Sequence, residues 1–265
     1  MKFKKKIKFS IIVVSLNTKK LFLKTINSIL KQNCKNFEII VIDGGSIDGT
    51  QKIIFKNKKY FSKYLIEKDK GIYHAMNKGI KRSSGRWIIF MNSGDIFYNK
   101  NVLKKLMSQD MDSFDIVFGD TVICTKELNY LVYSRSFDSN TYLMPFCHQS
   151  VFVNSVLLKK RNFSLKYKFS SDFNFFYNCY LCKKKFKKLD LIISKVKSAG
   201  LSDKNRQKVF NENLMIIGKK NNKDLKFMLY LIKFNQYFKD LFKMITPHFI
   251  KKIILKNKYK SFLVK

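Results

Sequence analysis

The chain has 265 residues, 46% of them hydrophobic, which suits one ordinary domain plus an appendage with material for a sizeable core. Its net charge is +36, yet only five of its 54 basic residues are Arg. That imbalance argues against a dedicated nucleic-acid reader, which grips phosphate and guanine through the Arg fork. The lysine excess fits either a chain-wide bias toward Lys, Asn, Ile and Phe or a functional basic surface that attracts anionic lipid and nucleotide phosphates. The five cysteines, Cys34, Cys124, Cys147, Cys179 and Cys182, form neither a disulfide framework nor a finger-like metal set. The Cys179–Cys182 pair lies in an apolar, helix-like stretch and reads as buried thiols.

Lys2 to Lys8 followed by Phe9 to Leu16 imitates a signal peptide. The apolar run is too short, however, and it ends in Asn17-Thr18-Lys19-Lys20 without a small-residue cleavage site. A basic tail leading into a first buried strand is the better reading. No later stretch reaches the ~18 uncharged apolar residues of a membrane span. A cytoplasmic protein, peripheral on the inner face of the cytoplasmic membrane, is expected.

The first half alternates strand and helix signals. Phe9 to Ser15 is a β-branched run, hence a fully buried strand. Asn17 or Thr18 can cap the helix that follows, in which Leu21, Phe22, Thr25, Ile26, Ile29 and Leu30 share one face. Phe37 to Asp43 is a second buried strand, ending in the turn-rich GGSIDGT, where Asp48 suits an N-cap for a helix from about Gly49. Tyr64 to Lys68 is a third strand, and Ile72 to Lys81 a helix with Tyr73, Met76 and Ile80 inward. Trp87 to Met91 is a fourth strand, Asn101 to Met107 a helix, and Phe114 to Ile123 another strand. Such β-α repeats imply parallel strands with right-handed crossovers. Their loops gather at one edge: Ser15 to Asn17, Asp43 to Ser46, Asp69 to Gly71 and Asn92 to Asp95. Asp95 stands just past a buried strand, a natural clamp for a divalent metal on a diphosphate. No G-x-G-x-x-G follows the first strand and no G-x-x-x-x-G-K-[ST] occurs, which excludes a classical dinucleotide site and a P-loop.

After Ile123 the alternation breaks down. Asn129 to Arg135 can return as a hairpin, and His148 to Val153 is a strand candidate. Ser170 to Leu181 reads as an apolar helix, and Phe186 to Ser198 as a strand. From about Asp203 the chain reads as helical, and 225–265 combines Leu, Phe and Ile with many lysines, suiting helices that lie on an anionic membrane surface. The expected organisation is 1–202 as the catalytic domain, split into 1–123 and 124–202, with 203–265 as a basic helical extension.

Four motifs, SIIVVSLN (10–17), FEIIVIDGGSIDGT (37–50), EKDKGIYHAMNKGIKRSSGRW (67–87) and FMNSGD (90–95), together resemble glycosyltransferase family 2. The third is similar to the subgroup around the colanic-acid-type bacterial polysaccharide enzymes. HQSVF (148–152) and the Asp172 segment resemble that subgroup's acceptor half. The resemblance covers about the first 200 residues. It implies an α/β GT-A fold with a mostly parallel Rossmann-like sheet, 1–123 binding the nucleotide sugar and 124–202 the acceptor. It implies inverting transfer from a nucleotide-diphosphate sugar to a saccharide or lipid-linked acceptor in surface polysaccharide synthesis, assisted by Mg²⁺ or Mn²⁺.

On that resemblance Asp95 is the metal ligand, with Asn92 and Gly94 at positions often acidic. Ser15 and Asn17 offer polar groups to the base or ribose. Asp43 begins the family's two-carboxylate signature; Gly44 replaces the second carboxylate, which leaves Asp43 as a base contact or as an organiser of its loop. Asp69 approaches the ribose or donor, and Lys70, Lys78 and Arg82 can neutralise phosphate. Asn77 can hydrogen-bond near the donor, and His74 stands where the subgroup more often has Asp. Asp172 resembles the aspartate of the family's E-D motif and is the candidate base, with Ser171 in place of Glu. His148 is the fallback base and, with Gln149, lines the acceptor side. A nucleic-acid-binding protein leaves these loop motifs unexplained, and a nucleotidyltransferase needs a Gly- and Arg-rich loop after the first strand that SLNTKK does not supply.

Overall fold

The computed structural model describes residues 7–138, 141–198, 200–218 and 230, 231 and 234. The chain runs β1 (Phe9–Ser15), α1 (Lys19–Leu30), β2 (Phe37–Asp43), α2 (Thr50–Asn57), β3 (Lys63–Ile66), α3 (Ile72–Arg82) and β4 (Trp87–Phe90). It continues with β5 (Ile96–Phe97), α4 (Val102–Met107), β6 (Ile116–Cys124), β7 (Asn129–Val132) and β8 (Val151–Asn154). Last come α5 (Ser155–Lys160), α6 (Ser171–Leu181), β9 (Phe186–Lys197), α7 (Leu201–Lys204) and α8 (Arg206–Ile216). Nine strands among the described residues form one sheet in the order β3-β2-β1-β4-β8-β6-β9-β5, with β7 on β6.

The expected parallel block is present: β3, β2, β1 and β4 run parallel. Both its faces are covered, so its strands lack polar alternation. Ile12, Val14, Ile40, Ile42 and Phe90 point into a core shared with α3 and α6, whereas Ile11, Val13, Ile39, Val41 and Ile89 point into one shared with α1. In α1 the period-3.6 face buries Phe22, Thr25, Ile26 and Ile29. Each large apolar side chain so buried contributes about 1.5–3 kcal/mol.

The acceptor half joins this block by antiparallel pairing. Trp87 of β4 faces Asn154 of β8, and Ile88 faces Val153. β8 is in turn antiparallel to β6. The hairpin expected after β6 is there, with β7 antiparallel to it.

Two sequence expectations need correction. His148–Ser150 is a turn of 3₁₀ helix, so the strand begins only at Val151. Asp48 is not the N-cap of α2; Gly49 is, in a left-handed conformation with φ 90°. Asp48 instead accepts from the first N–H of two helices, Lys19 N at 2.9 Å and Thr50 N at 3.0 Å, which locks α1 to α2. The short β5 and α5 carry too few residues for periodicity to reveal. Residues 225–265, read as a membrane-surface segment, lie outside the described residues apart from three positions.

Two features fix the end of the sheet opposite the crevice and the packing of α3. Glu38 is buried between β1 and the α3–β4 connection, accepting from Ser10 Oγ at 2.5 Å, Ser84 Oγ at 2.8 Å and Gly85 N at 3.0 Å. Burial pushes its carboxyl up, but those hydrogen bonds outweigh it and hold the group below the usual range. Gly79 lets α3 lie close on β1: a Cβ there would come within 2.5 Å of Ile12 Cγ2. Gly→Ala inside a helix ordinarily stabilises by roughly 0.5–1 kcal/mol. Here the contact reverses the sign, and Gly79→Ala is expected to destabilise by about 1–3 kcal/mol, read as a lower denaturant midpoint at unchanged slope.

Candidate active site

The loops after β1 and β2 are woven together by polar side chains. Asp43 is fully buried and accepts from Ser46 N at 2.7 Å, Ser46 Oγ at 2.7 Å and Gly45 N at 3.2 Å. Its carboxylate therefore organises its own loop, the second of the two roles left open by the sequence. Asn17 has a left-handed backbone, φ 51°, in which its N–H donates to Ser46 Oγ and its Oδ1 accepts from Ile47 N. The Ser15 hydroxyl is buried and shared with Thr18 Oγ1 at 3.1 Å.

The third loop brings Asp69 beside these two. A side chain at Gly44 would place its Cβ 2.9 Å from Asp69 Oδ2. The space that a second carboxylate would fill at position 44 is thus occupied from position 69. Asp69 Oδ1 is held by Lys78 Nζ at 2.6 Å, and Lys78 also pairs with Glu67 at 2.7 Å. Burial pulls the Lys78 ammonium down, but hydrogen bonds to Asp69 and Glu67 outweigh this and hold it above the usual lysine range. Lys78 therefore braces Asp69 and is not a free phosphate-binding cation, which corrects its expected role. His74 Nδ1 accepts from Lys70 N at 3.1 Å and lies 3.6 Å from Asp69 Oδ1. Asn77 is also reassigned. Its amide bonds both backbone groups of Phe163, at 2.8 and 3.0 Å, and clamps the segment that leads to α6.

The fourth loop ends at Asp95. Its carboxylate is buried, with no basic side chain paired to it among the described residues, and it accepts a hydrogen bond from Gln149. Gln149 is oriented by Cys147, whose thiol donates to Gln149 Oε1 at 3.0 Å. Burial of Asp95 dominates and pushes its carboxyl up to about 7. Asn92 Oδ1, on the same loop, is buried without a hydrogen-bond partner. An uncompensated carboxylate and an orphaned carbonyl oxygen suit a hard divalent cation. No cluster of three or more His, Cys, Asp or Glu that could hold a metal occurs among the described residues, so any such ion would also need ligand oxygens from elsewhere.

Across the crevice, Asp172 sits in the first turn of α6. Its Oδ1 accepts from Tyr73 Oη at 2.8 Å and Phe173 N at 2.9 Å, while Oδ2 faces His148 Nδ1 at 3.8 Å, beyond hydrogen-bond range. His148 stacks on Phe90 with ring centroids 5.1 Å apart. Both its ring nitrogens are buried without hydrogen-bond partners. Burial holds the imidazole below the usual range, against the pull of Asp172, so it is neutral at pH 7. Ser171 Oγ is likewise buried and unpartnered. Asn92, Gln149, His148 and Asp172 all open onto one cavity of about 310 Å³, closed on its other sides by Tyr73 and Asp203 among others.

Sequence reasoning read Tyr73 only as a core residue. Its hydroxyl in fact meets Asp172 and the Phe169 carbonyl, at 2.8 and 3.0 Å, from a place inside the GIYHAMNKG motif that could have flagged it.

The sign of the Asp95 effect is testable. A carboxyl raised from 3.8 to about 7 contributes stability that is full below pH 4 and lost as pH rises through 7. About three units at ~1.4 kcal/mol each set an upper bound of about 4 kcal/mol. With divalent ions chelated, Asp95→Asn should unfold at higher denaturant than the parent at pH 8, and the gap should close below pH 4.

Residues 10–189 match the family model described as glycosyl transferase family 2. A PGL/p-HBAD biosynthesis glycosyltransferase of Mycobacterium bovis is 28% identical over 180 residues, covering 65% of this chain and 69% of that protein. An uncharacterized glycosyltransferase of Rickettsia bellii is 33% identical over 140 residues, covering 51% of this chain but 20% of that protein. Among solved structures, S. aureus TarS 1-349 in complex with UDP-GlcNAc superposes with a TM-score of 0.62 at 22% identity, covering 80% of this chain and 66% of that one. The mannosyltransferase PcManGT from Pyrobaculum calidifontis, solved with GDP-Man and Mn²⁺, gives 0.60 at 12% identity, covering 79% and 62%. A sheet whose four parallel strands gather their loops at one crevice, together with a family match over most of the catalytic half, leads to one conclusion: the chain belongs to glycosyl transferase family 2 and is a GT-A-fold glycosyltransferase that draws on a nucleotide-sugar donor.

Proposed function

We propose that the enzyme is an inverting transferase whose acceptor is a lipid-linked saccharide presented at the inner face of the cytoplasmic membrane. The observation that carries this reading is the single cavity onto which the Asp95-side groups Asn92 and Gln149 and the acceptor-side groups His148 and Asp172 all open. The nucleotide lies over the loops after β1, β2 and β3. Asn17 and the Asp43-ordered loop form its floor, with Gly44 leaving room for Asp69 Oδ2 to face the base or ribose. UDP-GlcNAc in TarS and GDP-Man in PcManGT support a nucleoside-diphosphate donor and leave the base open between two classes. Among the described residues no helix is long and apolar enough to cross a membrane, so contact with the bilayer rests on the lysine-rich 225–265.

The acceptor hydroxyl enters between Asp172 Oδ2 and the neutral His148, whose unpartnered nitrogens suit hydrogen bonds to a sugar. Asp172 takes the hydroxyl proton while the oxygen attacks the anomeric carbon from the face opposite the phosphate. The new C–O bond forms as the old one breaks, and its electron pair leaves on the diphosphate. Mg²⁺ or Mn²⁺ held by Asp95, with Asn92 Oδ1 alongside, would neutralise the charge gained there. The PcManGT complex with Mn²⁺ supports the use of a divalent cation.

A thermal-shift panel of nucleoside diphosphates with and without Mn²⁺ identifies the base, since a ligand of the folded state raises Tm. Asp95→Ala should lose the Mn²⁺-dependent shift; calorimetry showing unchanged Mn²⁺-dependent binding would refute the metal role. For Asp172→Asn, donor binding should persist while release of nucleoside diphosphate falls by roughly 10²–10⁴-fold. Full turnover in that variant would place the base elsewhere.

A further inference from the structure

The helix α8, which opens the C-terminal extension, grips both walls of the acceptor cavity with consecutive residues. The Glu212 carboxylate accepts three backbone N–H groups in a row, Lys168 N at 3.0 Å, Phe169 N at 2.9 Å and Ser170 N at 2.9 Å. Ser170 Oγ donates back to the α8 carbonyl of Val209 at 3.2 Å. On the other wall, Asn213 Nδ2 donates to the Tyr142 carbonyl at 2.9 Å, in the segment that continues to the cavity residues Met144 and Phe146. Phe210 and Leu214 bury the apolar side of α8 against Tyr142.

We infer that Glu212 is a positioning residue for Asp172, and that α8 is a working part of the acceptor site. The start of α6 leaves N–H groups that the helix cannot satisfy. Ser170, its N-cap, makes no side-chain capping bond, because its hydroxyl is turned to Val209. Glu212 supplies an acceptor from outside, and a charged acceptor makes the stronger bonds. The peptide it pins carries the Phe169 carbonyl, and the Tyr73 hydroxyl lies between that carbonyl and Asp172 Oδ1. One phenol proton can serve only one of the two oxygens at a time. The position of the 168–170 backbone relative to Tyr73 therefore sets how firmly Asp172 Oδ1 is held, and so how consistently Oδ2 is turned to the cavity. A displacement of about 1 Å in such a group costs on the order of 10²-fold in rate.

This inference rests on the reading of Asp172 as the base, and the experiment separates the two. Turnover is measured as nucleoside-diphosphate release from the donor selected by the thermal-shift panel. In Glu212→Gln, which loses one acceptor oxygen and turns an amide toward N–H donors, kcat should fall about 10-fold with donor KM within about twofold. Hydrogen exchange at Lys168–Ser170 should accelerate while the amides of β1 and β4 stay protected. Combined with Tyr73→Phe, the loss in kcat should be no larger than that of the more damaging single variant, because both act on the orientation of one carboxylate. Ser170→Ala, which cuts the reciprocal link to Val209, should show the same kcat-specific pattern at smaller amplitude and serves if Glu212→Gln folds poorly. Wild-type kcat despite accelerated exchange, or fully additive losses with Tyr73→Phe, would overturn the positioning role. If Glu212→Gln turns over normally while Asp172→Asn is dead, only the inference on Glu212 fails. Turnover by Asp172→Asn removes the underlying reading instead.

Discussion

The antiparallel pairing of β8 against β4 is the constraint on which the crevice depends. β4 runs parallel to β1, so its C-terminal end delivers Asn92 and Asp95 to the edge where the other βα loops gather. β8 runs the opposite way, so its beginning lies at that same edge. The strand that pairs Asn154 with Trp87 and Val153 with Ile88 leads back to the 3₁₀ turn that holds His148 and Gln149. A parallel partner would have sent these residues to the far end of the sheet, where Glu38 closes the structure. The hydrogen bond from Gln149 to Asp95 and the stacking of His148 on Phe90 follow from this one choice of strand direction. So does a shift of register by one residue being intolerable: every side chain of β8 would change face.

Buried polar groups divide into two kinds, and the division maps the site. Glu38 and Asp43 are as buried as any residue here, yet their oxygens are surrounded by hydroxyls and N–H groups. They fix loops. Asn92 Oδ1, Ser93 Oγ, both nitrogens of His148 and Ser171 Oγ, together with Trp87 Nε1 and Asn213 Oδ1 away from the cavity lining, are buried with no partner among the described residues. Leaving such atoms unbonded costs roughly 1–3 kcal/mol each, so native chains rarely tolerate it except where something else completes the bonds. Four of these residues, Asn92, Ser93, His148 and Ser171, belong to the loop after β4 and to the segments that carry His148 and Asp172.

The parallel block was legible in the sequence because its information is local. β-branched runs, period-3.6 faces and turn residues lie within a dozen positions of one another, and the loops that follow them inherit their location from the strands. The acceptor half was less legible because its chemistry is set by contacts between distant segments. Tyr73 reaches Asp172 across 99 positions, and Asn77 reaches Phe163 across 86. In each case periodicity correctly reports which way the residue faces and says nothing of what its polar end meets. Tyr73 does pack inward; only the fold reveals that inward is also toward Asp172. Lys78 errs the other way. A lysine in a chain with 49 of them reads as solvent or phosphate contact, and the carboxylates of Glu67 and Asp69 claim it instead.

That fate of Lys78 bears on how so basic a protein handles a diphosphate. Lys78 is paired internally with Asp69 and Glu67, while Asp95 has no ion pair among the described residues and is raised by burial. The charge of +36 acts at longer range, raising the local concentration of an anionic donor without gripping it at a defined point. Such a field is screened over about 8–10 Å at physiological salt, so it accelerates arrival but cannot orient the phosphates. Orientation has to come from the short-range groups, and at the end of β4 these are acceptors: a carboxylate and an amide oxygen. Acceptors bind phosphate oxygens only through a shared cation. On the proposed reading, the donor and a divalent ion would belong to one binding event, each supplying ligands that the other lacks, with the diphosphate completing what Asp95 alone does not provide.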